Sequence, residues 1–147
     1  MQIKVNYDES CQELQVNLVA PSNSVELQQV LVALNSLQQQ TEQLIAYADN
    51  QLVLVDLAQI KRIFISDKQV WVQTAKGSWK LRQSISSLAN SLPQNFIRIS
   101  QSEIVNRHFI DRLDLSYDGT IKLYLHDGSY SFVSRRSIKN FKQALGL

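Results

Sequence analysis

Two stretches of this sequence place anion-binding and base-binding side chains beside the apolar residues that would hold a strand or a helix. One is VSRRSIKNFK at residues 133–142, where Arg135 and Arg136 follow Ser134 at the start of a predicted helix. Guanidinium groups, free backbone N–H groups and a hydroxyl together suit phosphate docking. Cations at a helix N-terminus cost roughly 0.3–1 kcal/mol each, which favours an anion-binding role for them. Alternatively, both arginines are solvated or pair with carboxylates such as that of Asp127.

The other stretch is NFIRISQSEIVNRHFI at residues 95–110. If Ile97 and Ile99 face a core, strand alternation turns three residues outward, namely Phe96, Arg98 and Ser100. Gln101 and Ser102 would then start a loop. Glutamine and arginine side chains at a rigid edge suit hydrogen bonding to base edges. Alternatively, Arg98 merely pairs with an acidic neighbour.

Residues that could carry catalysis or hold a metal are scarce. The two histidines, His108 and His126, lie in different predicted elements, and no HxxxH or CxxC spacing occurs. Cys11 has no nearby histidine to activate it, and the four glycines fit turns or a chain end. The sequence therefore supports neither an enzyme nor a metal or cofactor site.

Composition bounds the size of the folded core and indicates a reducing compartment. The chain has 147 residues, of which 44% are hydrophobic, enough for one sizeable core, or for one core plus a small subdomain. Its single cysteine cannot form an internal disulfide, and MQIKVNYDES lacks the apolar core of a signal peptide. We therefore expect a soluble cytoplasmic protein.

Charge is distributed unevenly along the chain. Residues 1–57 carry one basic and seven acidic residues, a net −6, whereas residues 58–147 carry 14 basic and six acidic residues, a net +8. This asymmetry favours a polyanion-binding module joined to an acidic accessory segment.

Hydrophobic periodicity predicts a short β-β-α segment followed by many strands. IKVNY and LQVNLVA alternate like strands, and a helix follows with Asn23 and Glu26 as a capping box, before the polar linker QQQTEQ. From residue 44, strand-like runs alternate with Asp-Gly hairpin signals. Ser84 is expected to cap a helix that stops before Pro93, and Ser134 to cap the last helix. We therefore predict an α+β fold, predominantly antiparallel β with short helices, with an accessory segment at residues 1–43 and a main domain at residues 44–147.

The order of these segments resembles a LytTR-type DNA-binding domain over about residues 44–147. The matching marks are the strand pair before DKQVWVQT, the block LPQNFIRISQSEIVNRHFI, the Asp-Gly hairpin, and VSRR opening the last helix. The resemblance implies a β-rich domain of a bacterial transcription regulator that inserts loops, not a recognition helix, into successive grooves of double-stranded DNA.

The resemblance also implies which residues contact DNA. They are Lys68 and Gln69 in the first loop, Gln101 and Ser102 in the second, and Ser134, Arg135 and Arg136 in the third. Arg98 matches the arginine of the family's FxR pattern, as a phosphate contact or a support for the loop. We expect Arg136 and Gln101 to read bases. The residues expected mainly to position the backbone are Lys68, Gln69, Arg98, Ser134 and Arg135. Asn106 also matches, and we assign it a structural role because asparagine readily closes turns.

Partners follow from the same resemblance. Residues 1–43 are too short for a receiver domain, and they resemble the extension of stand-alone LytTR regulators, some of which are restrained by a small membrane protein. We expect two copies to bind tandem promoter boxes as a homodimer on DNA.

Two other functions remain open. A basic face could bind an acidic protein partner, or a β-sheet could bind RNA through exposed aromatic side chains. Four aromatic residues could serve the second function, although their alternation suits packing better: Trp71, Trp79, Tyr124 and Tyr130.

Overall fold

A computed structural model describes residues 1–40 and 43–147, and the chain forms two compact units, Met1–Glu42 and Gln43–Leu147. In the first unit, residues 1–24 contain no helix or strand, and helix α1 spans Val25–Gln40. The predicted strands IKVNY and LQVNLVA are therefore wrong. An isolated two-stranded ribbon is marginal in water, and most of their large apolar side chains stay exposed.

Helix α1 begins one residue later than the predicted capping box implies. The Ser24 hydroxyl accepts a hydrogen bond from the Leu27 N–H at 3.3 Å, so Ser24 is the cap. Asn23 precedes it with φ 66°, a left-handed conformation that asparagine tolerates. Part of the predicted linker QQQTEQ belongs to α1, and residues 41–42 lie outside the described residues.

The second unit consists of two antiparallel sheets. The main sheet has the strand order β2-β1-β5-β4-β3-β7-β6, and the small sheet has the order β10-β9-β8. The strands are β1 Gln43–Ala48, β2 Gln51–Asp56, β3 Ile60–Ser66, β4 Gln69–Thr74, β5 Gly77–Leu81, β6 Phe96–Ser100, β7 Glu103–Asn106, β8 Ile110–Leu115, β9 Ile121–Leu125 and β10 Tyr130–Val133. The helices are α2 Ile85–Ser91 and α3 Ile138–Leu145. The predicted antiparallel β class with short helices is confirmed.

Two apolar clusters cover opposite faces of the β6–β7 hairpin. Phe96 and Ile104 belong to a cluster that includes Leu88 of α2. Ile97 and Ile99 belong to a second cluster with residues of β9, β10 and α3. The expectation that Phe96 faces outward is wrong, because α2 packs over that face and leaves the residue only 8% exposed.

Asn106 joins the end of β7 to the rest of the domain. Its side chain is fully buried, and its Nδ2 donates to the Ile60 carbonyl at 2.8 Å. Its Oδ1 accepts from Asn95 Nδ2 at 3.0 Å and from the His108 N–H at 3.1 Å. The structural role predicted for this residue is confirmed.

Both Asp-Gly sequences form hairpin turns in the small sheet. Hydroxyl hydrogen bonds from Ser116 and Thr120 lower the pKa of Asp118 to about 2. The Ser129 hydroxyl and N–H, followed by the Lys61 ammonium at 3.0 Å, hold the pKa of Asp127 well below its usual range. The pair between Lys61 and Asp127 ties the main sheet to the turn between β9 and β10.

Candidate nucleic-acid interface

The three predicted contact segments lie where strands end, and the second segment bonds to the elements beside it. The Ile65 N–H in β3 donates to the Ser102 carbonyl at 3.0 Å, and the Ser134 N–H donates to the Ile99 carbonyl at 2.7 Å. The loop between β6 and β7 therefore sits between the β3–β4 turn and the segment that follows β10. This arrangement forms one composite surface, which we call the loop face, defined by residues 67–69, 100–102 and 134–137.

The first segment is a tight turn with an unusual backbone. Ser66 pairs with Gln69 across two central residues, Asp67 and Lys68, whose φ angles are 51° and 62°. Positive φ at both positions is the type I′ geometry that suits a two-residue hairpin. Lys68 and Gln69 are exposed at its tip, where the ammonium and the amide are available to a ligand.

The second segment is held by Arg98. Its Nε donates to the Ser100 carbonyl at 3.0 Å, its Nη2 to the Gln101 carbonyl at 3.1 Å, and its Nη1 to Ser86 Oγ at 3.3 Å. A register shift between Arg98 and Ser100 marks a bulge where β6 enters the loop. These contacts are those of a loop support. The alternative of an acidic partner is wrong, because all three acceptors are neutral.

The third segment begins earlier than the last helix does. Arg135–Ser137 form a 3-10 turn, and α3 starts at Ile138. Ser134 therefore does not cap α3; its hydroxyl donates to Ser137 Oγ at 2.9 Å. Both arginines therefore precede α3, whose Phe141 is buried in the second apolar cluster.

Arg135 and Arg136 are exposed and have no ion-pair partner within the described part of the chain. The alternative that they pair with Asp127 is wrong, since that carboxylate binds Lys61. Two guanidinium groups without a counter-charge leave this segment positive and open to an anion.

An open concavity of about 560 Å³ connects the second and third segments. Its lining is Ser86, Arg98, Ser100, Gln101, Ser134, Arg136 and Ser137. Four predicted residues therefore meet there, whereas Lys68, Gln69, Ser102 and Arg135 lie outside its lining. The lining holds two arginines, one glutamine and four serine hydroxyls without a carboxylate, a combination that suits phosphate and base edges.

Ser86 of α2 is a member of this lining that the sequence does not reveal. It lies two residues after Ser84, whose hydroxyl caps the helix by accepting the Ser87 N–H at 3.1 Å. The cap is visible as a sequence pattern, but the approach of Ser86 to Arg98 depends on how α2 packs against β6. No local signal could have identified it.

The aromatic residues considered for RNA divide between the two sheets. Trp79 packs against the first apolar cluster, and Trp71 donates from its ring nitrogen to the Ser66 carbonyl at 3.2 Å. The rings of Tyr124 and Tyr130 lie 6.1 Å apart and are tilted by 54° on the small sheet, with the Lys122 ammonium over both rings. Each ring therefore has a packing role.

Comparison with known proteins gives consistent matches. The family model described as "LytTr DNA-binding domain" matches residues 50–146. Uncharacterized HTH-type transcriptional regulators of Staphylococcus aureus strains NCTC 8325 / PS 47 and COL are 33% identical over 135 residues, covering 92% of this chain and 91% of each relative. A solved LytTr DNA-binding domain from Bacillus cereus has a TM-score of 0.68 at 21% identity, covering 72% of this chain and 98% of that one. At 21% identity, this structural likeness is evidence for a shared fold alone.

The Staphylococcus aureus relatives are named as HTH-type regulators, and a helix-turn-helix requires two helices joined by a short turn. Across residues 1–40 and 43–147, strands separate α1, α2 and α3 from one another in the chain, so these helices do not form that motif.

None of these described helices is long and apolar enough to cross a membrane.

Proposed function

This chain belongs to the LytTR family of DNA-binding domains, and we propose that it is a transcription regulator that reads double-stranded DNA with loops. The family assignment covers the unit that contains the loop face, and the curated relatives are named as transcriptional regulators. The observation that carries the proposal is that the second loop segment bonds to elements of the other two. Arg135 and Arg136 have no ion-pair partner among the described residues, and no carboxylate lines the concavity between the second and third segments. We place its action in the cytoplasm, where bacterial DNA is found.

Within the loop face we assign base reading to Arg136 and Gln101. Both line the concavity, whereas Arg135 is exposed outside its lining. Arginine binds guanine edges in a bidentate manner, and glutamine does the same with adenine. Lys68, Gln69, Ser102, Ser134 and Arg135 are assigned to the phosphate backbone, and Arg98 to holding the second loop.

We further propose that two copies occupy tandem promoter boxes as a homodimer on DNA. Head-to-tail placement needs no self-complementary surface between the copies. Each copy presents one loop face, so that adjacent copies on one side of the duplex must be spaced by whole turns of about 10 base pairs.

A gel-shift titration tests the proposed class of ligand. With roughly five phosphate contacts per copy, log affinity for duplex DNA should fall against log salt with a slope near −4 to −5. The same probe sequence offered as a single strand and as RNA provides the matched comparison. Preference for RNA, or a complex insensitive to salt, would contradict the proposal.

The same titration on a two-box probe examines the tandem arrangement. Inserting half a helical turn between the boxes should abolish cooperativity, because the second copy is rotated to the opposite side of the duplex. A full-turn insertion is the control and should largely preserve cooperativity. Equal cooperativity with both insertions would show that the copies bind independently.

The acidic first unit is proposed to serve control. Its net negative charge would repel DNA, and the partner proposed for it is a small membrane protein, whose cytoplasmic loops would be basic by the positive-inside rule. We expect a chain that starts at Gln43 to fold, because both apolar clusters lie within the second unit, and to keep most of its DNA affinity.

In cells, the shortened chain should regulate a promoter reporter without the restraint shown by the full chain. Circular dichroism and the gel shift establish that it folds and binds DNA. If the shortened chain fails to fold or no longer binds the DNA duplex, the proposed division of control and DNA binding between the two units is wrong.

A further inference from the structure

The two edges of the main sheet differ in how they are covered. At the β6 edge, the Ser134 N–H donates to the Ile99 carbonyl at 2.7 Å, and α3 packs against the strand. At the other edge, β2 pairs with β1 alone among the described strands, in unbroken register from Gln51 to Asp56. It lacks the proline, lysine or bulge that commonly protects an exposed edge.

Strand β2 also has apolar side chains on both faces. Val53 and Val55 face the first apolar cluster. Leu52 and Leu54 point to the opposite face and are 67% and 64% exposed. Ile45 of β1 lies opposite Leu54 in the ladder and is 51% exposed. Apolar residues on both faces are typical of a strand that is covered on both faces, yet the face with Leu52 and Leu54 is open.

We propose that β2 pairs antiparallel with β2 of a second copy of this chain, with Val53 opposite Val53 on the two-fold axis. This register sets Leu52 of each copy opposite Leu54 of the other, so that the exposed leucines of the two strands contact one another side by side on the same face. The pairing is self-complementary, as a two-fold interface requires. It joins the two main sheets into one continuous sheet.

Charge and backbone bonding also favour a second copy in this register. The single charged residue of β2, Asp56, would lie opposite Asn50, so no like charges meet across the axis. The Asp56 carboxylate accepts a hydrogen bond from Gln43 Nε2 of its own copy at 2.7 Å. The free N–H and C=O groups along the edge would gain partners from an identical strand.

This pairing is distinct from the proposed tandem arrangement on DNA and stands independently of it. A two-fold axis perpendicular to the sheet reverses the strand direction, so that the two loop faces would point to opposite ends of the joined sheet. Two adjacent boxes on one straight duplex could not be bound by such a pair.

Analytical ultracentrifugation of the full chain without DNA tests the proposal. The natural sequence should dimerise reversibly, and Leu54→Lys should raise the dissociation constant at least tenfold by placing a charge at an apolar contact. Leu115→Lys is the matched control, since Leu115 is 63% exposed on β8 of the small sheet, and it should leave the dimer intact. A monomeric natural sequence, or equal loss of dimer in both variants, would overturn the proposal.

Cysteine cross-linking then tests the register. In a Cys11→Ser background, which removes the exposed native thiol, Val53→Cys should form an intermolecular disulfide, because directly opposed residues lie within bonding range. Leu52→Cys and Leu54→Cys should cross-link far less, since each is displaced along the strand from its copy. Preferential cross-linking at either of these two positions would refute the proposed pairing.

Discussion

Replacing Asn106 with leucine should lower the free energy of unfolding by about 3 kcal/mol. The leucine fills a similar volume but removes every polar atom of a side chain that is fully buried. The Ile60 carbonyl, the Asn95 amide and the His108 N–H then lose their partner. Each buried polar group left unpaired costs about 1–3 kcal/mol. Urea denaturation followed by circular dichroism measures the change.

Asn90→Ala is the control, because Asn90 is exposed on α2, and its effect should stay within about 0.5 kcal/mol. The variant Asn106→Asp tests the role of Nδ2 as the hydrogen-bond donor to the Ile60 carbonyl. An aspartate there can donate to the Ile60 carbonyl only when protonated, so burial should raise the pKa of the introduced carboxyl. Compared with the natural sequence at the same pH, that variant should lose least stability below the ordinary carboxyl pKa of about 3.9, and its deficit should grow as the pH rises to the raised folded value. A pH-independent loss would argue against this role of Nδ2.

Replacing Arg136 with alanine should weaken binding to the cognate duplex by about 1–3 kcal/mol and flatten base preference at one position of the box. The expected loss follows from the place of Arg136 in the concavity beside Gln101. Gel shifts against a set of probes with each base varied in turn measure both quantities. Circular dichroism should show an unchanged fold, because the side chain is exposed.

The neighbouring arginine provides the comparison. Arg135 is equally exposed but lies outside the lining, so Arg135→Ala should weaken all probes by nearly the same factor and reduce the salt slope by about one. If both variants produce equal and uniform losses, Arg136 is a phosphate contact and base reading must be assigned elsewhere.

Much of the domain could be predicted from sequence because its signals are local. Asp-Gly turns, alternating strands and the Ser84 cap depend on residues close to one another in the chain. The orientation of Phe96 does not follow from alternation, because α2 covers its face of β6 and the second apolar cluster covers the other face, so both faces of the strand are buried. The two strands predicted at the N-terminus are wrong for the opposite reason. Apolar and polar residues alternate within residues 1–24, but none of these residues belongs to a sheet.

In the candidate site, too, some features follow from the sequence and others depend on tertiary packing. The resemblance placed three contact segments, and the structure brings the second into contact with elements of the other two. The orientation of Arg98 and the contribution of Ser86 depend on a tertiary contact at 3.3 Å between β6 and α2. A single sequence contains no periodicity or spacing that encodes this contact.

The three hydrogen bonds of Arg98 have a consequence for conformational entropy. Ordering the backbone of one residue costs roughly 1–2 kcal/mol, and the carbonyls of Ser100 and Gln101 are already held by the guanidinium in the free protein. The backbone of Ser100 and Gln101 therefore loses its conformational entropy on folding, and this cost does not recur when a ligand binds. The Arg136 side chain, by contrast, is exposed, so that in the proposed complex it would be ordered on binding. The loop face would then combine a preorganised backbone with a side chain that adapts to the groove proposed for it.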